Sequence, residues 1–423
     1  MPHTLTVLLI VLNAAMALFL LYTALTSVPG FFKARQKPVR AGVPLHRFAA
    51  VIAARNEENI LPFLFESLRA QNYPSELIEV ILIADNCTDN TAGVARDYGA
   101  TVIERHDLEK IGKGYALKYA FSRLGPSLFK ADAVCIFDAD NIVHPDFFVH
   151  MNRAYAGGAR IAQGYRQMKN PSDTWISGAN ALFFWMHNRF FNRARDVMGL
   201  SAHINGTGFM VDADTLRKNG WNTDTITEDI ELTAQTVLSG KKVAWVPDAV
   251  IFDEQPLHFS QSFNQRKRWG LGVFQCLARY AAPLLRRFLA TGQLQYLDTL
   301  VYLASVPLST MGVLLGLGSF VYALFVSPAF ALMGLLGNYL AIVAGSLLII
   351  RLEYGAKYRG MLRPVALYPF VLLIWSMLSL FVLFNGKAIG WKPIRHVRAV
   401  SIEDMLEQLQ LQNSQSRGKS GVV

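Results

Sequence analysis

The chain is poor in cysteine: Cys87, Cys135 and Cys276 are scattered along 423 residues. That spacing excludes a paired disulfide framework and a thiolate metal site, and fits reduced, semi-buried thiols in a cytosolic domain. Charge is scarce too, with 17% charged against 52% hydrophobic residues. With a mean hydropathy of +0.26, the chain is too apolar for an ordinary soluble protein, and the excess sits at its two ends. Acidic residues are outnumbered 31 to 41, leaving a formal charge of +10. The basic residues cluster beside apolar runs, which suits membrane flanks and phosphorylated ligands and argues against nucleic acid. Neither a basic start nor a small-residue cleavage site accompanies the first apolar run, so the reading is an uncleaved anchor and not a signal peptide.

What is present divides the chain into six stretches. Residues 1–30 are a transmembrane anchor, with an apolar run over 5–28 ended by Pro29-Gly30. Residues 31–47 are a basic linker carrying Lys33, Arg35, Lys37 and Arg40, which places the next domain in the cytoplasm. Residues 48–275 alternate between short apolar strands (48–54, 78–84, 101–103, 134–140) and amphipathic helices, the signature of a doubly wound α/β sheet. After Asp140 the alternation loosens: 175–191 is aromatic-rich, 205–209 is a tight turn, and 243–246 and 249–252 are candidate strands. Residues 276–295 read as an amphipathic helix lying in the membrane interface, with Arg279, Arg286 and Arg287 off its apolar face. Residues 296–386 hold apolar segments over 296–326, 329–350 and 364–385, and 387–423 are a basic, mobile tail. The last apolar run leaves the topology open. Arg351, Lys357, Arg359 and Arg363 precede it, and Lys387, Lys392, Arg395 and Arg398 follow it. A single crossing cannot keep both sets in the cytoplasm, so one set faces outward or the segment re-enters without crossing.

The chemistry gathers on Asp138-Ala139-Asp140, at the end of a buried apolar run. Residues i and i+2 project from one side of a strand, so the two carboxylates converge, and hard oxygen donors suit Mg²⁺ or Mn²⁺. Carboxyl ends of strands are also where ligands bind in open α/β sheets. Lys113 lies between two glycines at a helix start, where backbone N–H groups and an ammonium can approach a phosphate. Thr225-x-x-Glu228 also fits a helix-capping box, the structural alternative for that acidic cluster.

Asp85, Asp138/Asp140, Thr227-Glu228-Asp229 and Gln265-x-x-Arg268-Trp269 occur in the order that resembles the processive, membrane-embedded family 2 glycosyltransferases, the synthases of cellulose, chitin, hyaluronan and poly-N-acetylglucosamine. The resemblance covers about residues 48–274. It implies a GT-A fold, an α/β architecture with a mixed, largely parallel nucleotide-binding sheet flanked by helices and joined to transmembrane and interfacial helices. It further implies a UDP-sugar donor, a divalent metal and inversion at the anomeric carbon. On that resemblance Asp229 is the general base and Glu228 supports its placement. Arg55, Glu57, Asp85, Lys113, Asp138, Gln265 and Arg268 contact the donor, and Asp140, with Asp138, holds the metal. Trp269 and the loop Asn205, Gly206, Thr207 face the acceptor. Trp391-x-x-x-Arg395 is a looser echo of a further Trp/Arg motif. The expected reaction is β-linked saccharide synthesis at the cytoplasmic face of a bacterial membrane, in contact with membrane lipids and with a homo-oligomer or export partner open. A single addition to a lipid acceptor is the alternative, and a non-catalytic assembly protein the second alternative.

Overall fold

The computed structural model describes residues 2–32, 42–128, 130–355, 359–385 and 400–407. The linker residues Lys33, Arg35, Lys37 and Arg40, the Trp391/Arg395 echo and most of the basic tail lie outside the described residues. In chain order the strands are β1 (Phe48–Ala54), β2 (Ile78–Asp85), β3 (Thr101–Arg105), β4 (Ala133–Asp138), β5 (Ile142–Val143), β6 (Ile161–Met168), β7 (Phe209–Asp212) and β8 (Val243–Asp253). The helices are α1 (Pro2–Ser27), α2 (Leu61–Arg69), α3 (Thr91–Asp97), α4 (Lys113–Leu128), α5 (Phe147–Ala156), α6 (Trp175–Met186), α7 (Ala194–Met198), α8 (Ala213–Asn219), α9 (Glu228–Leu238), α10 (Phe259–Thr291), α11 (Leu294–Val326), α12 (Pro328–Glu353) and α13 (Leu362–Asn385).

One mixed sheet of eight strands runs in the order β3-β2-β1-β4-β7-β6-β8-β5. Pairing is parallel from β3 to β4, where buried apolar strands alternate with helices, and antiparallel on both sides of β7. Strand β1 shows why the parallel half forms. Ala50 and Ile52 enter one core with α2 and α5 while Ala49 and Val51 enter the opposite core with α4, so both faces are covered. The irregular half holds what the sequence reading lacked. Strands β6 and β7 were not expected, and the separate candidates at 243–246 and 249–252 form one strand, with the register shift falling opposite Gly164/Tyr165 of β6.

No break occurs at residue 275. The Gln265–Trp269 motif and the basic amphipathic stretch are one 33-residue helix, α10, which runs on to Thr291 with Pro283 inside it. Among the described residues, four helices are long and apolar enough to cross a membrane: α1, α11, α12 and α13. Buried ion pairs fasten them to the sheet domain. Asp298 of α11 takes Arg195 of α7 at 3.1 Å and accepts the Tyr22 hydroxyl of α1 at 2.7 Å. Glu353, the last residue of α12, accepts Tyr165 at 2.5 Å and Arg189.

Candidate active site

Strand register sets the rim on which the site is built. Ala53 of β1 pairs with Asp138 of β4 and Ala54 with Ala84 of β2, so Arg55, Asp85 and Asp138 emerge at one level. Asp85 is buried at 6% exposure, and its Oδ1 accepts Arg105 at 2.5 Å. Burial pushes its carboxyl up, with Arg105 and then Arg55 opposing. Glu57 holds the adjoining turn through its amide, which donates to Thr91 Oγ1 at 2.8 Å.

Asp138 ends β4, two residues earlier than the expected strand end. The chain then turns through Asp140 into β5, with the Asn141 amide donating back to the Asp138 carbonyl at 3.1 Å. Asp138 keeps its carboxylate half-exposed while Asp140 is 3% exposed. The third carboxylate of this centre is Asp253, at the end of β8. One oxygen each from Asp138, Asp140 and Asp253 lie within 4.8 Å of one another. Three such charges repel, and cations answer them. Lys113 Nζ donates to Asp138 at 2.5 Å, and Arg166 of β6 donates twice to Asp253 Oδ2, at 3.0 and 2.6 Å. Burial raises the Asp253 carboxyl to about 7, Arg166 opposes, and Asp140 and Asp138 raise it further. An all-oxygen, anionic donor set with one oxygen of Asp253 outside the Arg166 contact fits a hard divalent ion.

Lys113 also donates to the Gly206 carbonyl at 2.8 Å, which brings in the loop of Asn205, Gly206 and Thr207. Gly206 has φ +84°, and a Cβ there would sit 3.6 Å from Asp229 Oδ2 and 4.0 Å from Arg166 Nη1. Glycine therefore allows both the left-handed turn and the approach of the backbone to the acidic cluster. Thr207, fully buried, accepts the Asp138 amide at 3.0 Å, and Asn205 donates its amide to Gln163 at 2.8 Å. The Asn205 side-chain nitrogen is buried without a hydrogen-bond partner.

Glu228 and Asp229 open α9. The structural alternative for this cluster, a Thr225-x-x-Glu228 capping box, is not formed. Its N-cap is Thr227, whose side chain makes no capping bond, and Glu231 accepts the amides of Asp224 and Thr225 at 2.8 and 2.7 Å instead. Asp229 accepts the Ile230 amide on Oδ1 at 2.8 Å, and its Oδ2 faces Gly206. Burial, then Asp229, raises the Glu228 carboxyl to about 7, while burial raises Asp229 against the ammonium of Lys113. On α10, a Cβ at Gly272 would strike Thr227, so this helix lies directly on the Glu228/Asp229 turn. Burial lowers the Arg268 guanidinium, with Glu228 opposing. Gln265 keeps a buried Oε1 without a partner. Trp269 packs edge-on to Phe184 at 6.0 Å, and Phe184 in turn carries Arg166 4.1 Å above its ring.

The structure thus brings Asp138, Asp140, Lys113, Gly206, Glu228, Asp229 and Arg268 into one contiguous cluster, with Arg55 and Asp85 farther along the same rim. Sequence reasoning missed Asp253, Arg166 and Arg105. Asp253 carried a usable signal, a carboxylate just past an apolar strand, the pattern that picked out Asp138. Arg166 and Arg105 carried none, since their partners are distant in sequence.

Comparison with known proteins bears on the fold and the family. A mannosyltransferase from Pyrobaculum calidifontis, solved in complex with GDP-Man and Mn²⁺, matches with a TM-score of 0.55 at 16% identity, covering 90% of this chain and 98% of that one. A β-monoglucosyldiacylglycerol synthase of Nostoc sp. is 27% identical over 269 residues, 60% of this chain and 54% of the relative. A poly-β-1,6-N-acetyl-D-glucosamine synthase of Staphylococcus epidermidis is 23% identical over 245 residues, 56% and 57% of the two chains. The matched part therefore spans about half the length of these curated relatives. The model of the glycosyltransferase like family 2 matches residues 46–272, more than half of the sequence. The sheet is GT-A-like, and the chain belongs to the glycosyltransferase like family 2.

Proposed function

We propose that the protein is an inverting glycosyltransferase that moves a sugar from a UDP-sugar to an acceptor hydroxyl of a growing saccharide, at the cytoplasmic face of a bacterial membrane. The observation that carries this reading is the continuity Asp229–Gly206–Lys113–Asp138, which joins a buried carboxylate to an ammonium and the acidic cluster across a few ångströms. Asp229 takes the proton of the acceptor hydroxyl as that oxygen bonds to the anomeric carbon. The bond from that carbon to the diphosphate breaks, and its electron pair leaves with UDP. Lys113 and Arg268 hold diphosphate oxygens, and Arg268 does so with a planar fork. Asp85 and Arg55 receive the nucleoside end, and Trp269, oriented with Gln265, offers a ring face to the acceptor sugar. Asp138, Asp140 and Asp253 hold Mg²⁺ or Mn²⁺, which supplies Lewis-acid neutralisation of the diphosphate when bound.

A second acceptor reading, a membrane lipid receiving one sugar, draws on a specific feature. Trp269 packs against an apolar cluster shared by α6, α12 and α13, so the acceptor side adjoins membrane-type helices. Purified protein offered a panel of UDP-sugars with Mg²⁺ or Mn²⁺, with UDP release measured and products sized, separates the readings. Chains of several sugars support the first, and one sugar per lipid under excess donor supports the second. No transfer from any UDP-sugar overturns both. Asp229→Asn should retain donor binding and lose transfer by about 10²–10⁴-fold, the usual weight of a general base.

A further inference from the structure

Length and composition place α13 among the membrane-crossing helices, but its contacts do not. We propose that α13 lies within the leaflet facing the catalytic domain and never crosses the bilayer, so that the C-terminal segment stays on the catalytic side.

The crossing helices give the frame. α1 ends beside Arg195 and Arg189, α11 begins with Asp298 bound to Arg195, and α12 ends with Glu353 bound to Tyr165. Each thus has one end on the catalytic domain, and α11 and α12 meet at Ser327 on the far side. α13 has both ends on the catalytic domain. At its start a Cβ on Gly178 of α6 would lie 2.4 Å from Pro364, and one on Gly360 would lie 2.8 Å from Ser172. Near its other end a Cβ on Gly270 of α10 would lie 3.4 Å from Val382, and Lys267 Nζ stands 5.2 Å from the Phe381 ring. Gly270 is two residues from Gly272, which abuts Thr227 beside the acidic cluster.

The depths along α13 agree. The Tyr339 hydroxyl donates to the Ala366 carbonyl at 3.2 Å, and Tyr339 lies 11 residues beyond Pro328. At 1.5 Å per residue that is ~16 Å from the far turn. Farther along, Ser376 accepts Thr310 at 2.5 Å, and Thr310 lies 16 residues before Val326. That is ~24 Å from the far turn. The helix is therefore heading back toward the catalytic domain, where a crossing helix would approach the far turn. Its two faces match such a seat. Val365, Tyr368, Val371, Leu378 and Val382 are buried against protein, while Phe370, Leu373, Ile374 and Phe381 are exposed, an apolar outer face suited to acyl chains. Beyond α13, Ile402 and Met405 bury against Ile142 and Phe252, next to Asn141 and Asp253 of the acidic centre. Arg351 at the end of α12 and Arg363 at the start of α13 then fall on the side of the catalytic domain, as the charge rule for membrane flanks requires.

The test needs no turnover, so its outcome is separate from that of the reaction proposed above. In a Cys87→Ser background, Ser122→Cys, Ser327→Cys and Glu403→Cys report the catalytic domain, the far turn and the C-terminal segment to a membrane-impermeant maleimide, before and after permeabilisation. Glu403→Cys should label with Ser122→Cys and opposite to Ser327→Cys. Nitroxides at Phe370→Cys and Phe381→Cys, read by oxygen against a water-soluble relaxant, should place Phe381 ~8 Å nearer the catalytic face than Phe370, where a crossing helix carries it ~16 Å toward the far turn. Glu403→Cys labelling with Ser327→Cys, or Phe381 lying nearer the far turn than Phe370, overturns the proposal.

Discussion

Replacing Asp253 by Asn tests whether the third carboxylate belongs to the cation site or serves only as the counter-ion of Arg166. Asp253 Oδ2 is saturated: Arg166 donates to it at 3.0 and 2.6 Å and Gln255 at 2.6 Å. Oδ1 takes a single weaker bond, from Asn141 at 3.2 Å, so it is the oxygen with capacity for a cation. In Asp253→Asn the amide oxygen stays on Arg166, whose Nε and Nη2 both donate to that position, and the NH₂ replaces Oδ1. The NH₂ group then faces the Asn141 donor and presents a positive dipole to the site. Loss of one supporting carboxylate typically weakens metal binding 10–100-fold. That corresponds to about 1.4–2.8 kcal/mol. Thermal unfolding in detergent across a Mn²⁺ series reads the affinity directly, because stabilisation follows the logarithm of ligand over Kd. Asp140→Asn serves as the comparison. If Asp253→Asn keeps wild-type Mn²⁺ affinity while Asp140→Asn loses it, Asp253 is a counter-ion alone and the three-carboxylate assignment is wrong.

Lys113→Met should shift the acid limb of kcat/KM to higher pH, because the Lys113 ammonium opposes the upward push of burial on Asp229. A limb that stays in place shows that Asp229 does not set it. Glu228 and Asp253 both have carboxyls raised to about 7 in the folded chain. Their neutral forms favour folding below the unfolded carboxylate range, and that contribution is lost as pH rises toward 7. The metal-free protein should therefore lose Tm across that window, with a Mn²⁺-induced rise in Tm that grows with pH. A flat Tm in chelator with a pH-independent Mn²⁺ effect refutes this. Asp298→Ala strands Arg195 in a buried setting and should cost about 3–5 kcal/mol, measured as unfolding in detergent. Asp298→Leu with Arg195→Met should recover most of it; an equally unstable double variant would place the loss elsewhere.

The parallel half of the sheet was legible because buried parallel strands write themselves as unbroken apolar runs and their ends as polar clusters. The start of β1, the start of β2 and the carboxylates after β4 all follow from that local rule. The second half was not legible. β6 mixes Gln163, Arg166 and Gln167 into a strand whose polar side chains find partners in Asn205, Thr207, Asp253 and Trp185, all remote in sequence. The same holds for the join across residue 275, since helical spacing cannot say whether two adjacent amphipathic stretches share one axis.

By itself the sequence determined which segments avoid water and which carboxylates stand at strand ends, because hydropathy and side-chain periodicity are properties of neighbours along the chain. Only the tertiary structure decided that Asp253 and Arg166 enter the acidic centre, that Asp229 meets Lys113 across Gly206, and that both ends of an apolar 24-residue helix rest on the catalytic domain. Charge pairing and packing depend on distance in space, and the residues that supply them here are separated by tens to hundreds of positions in the chain.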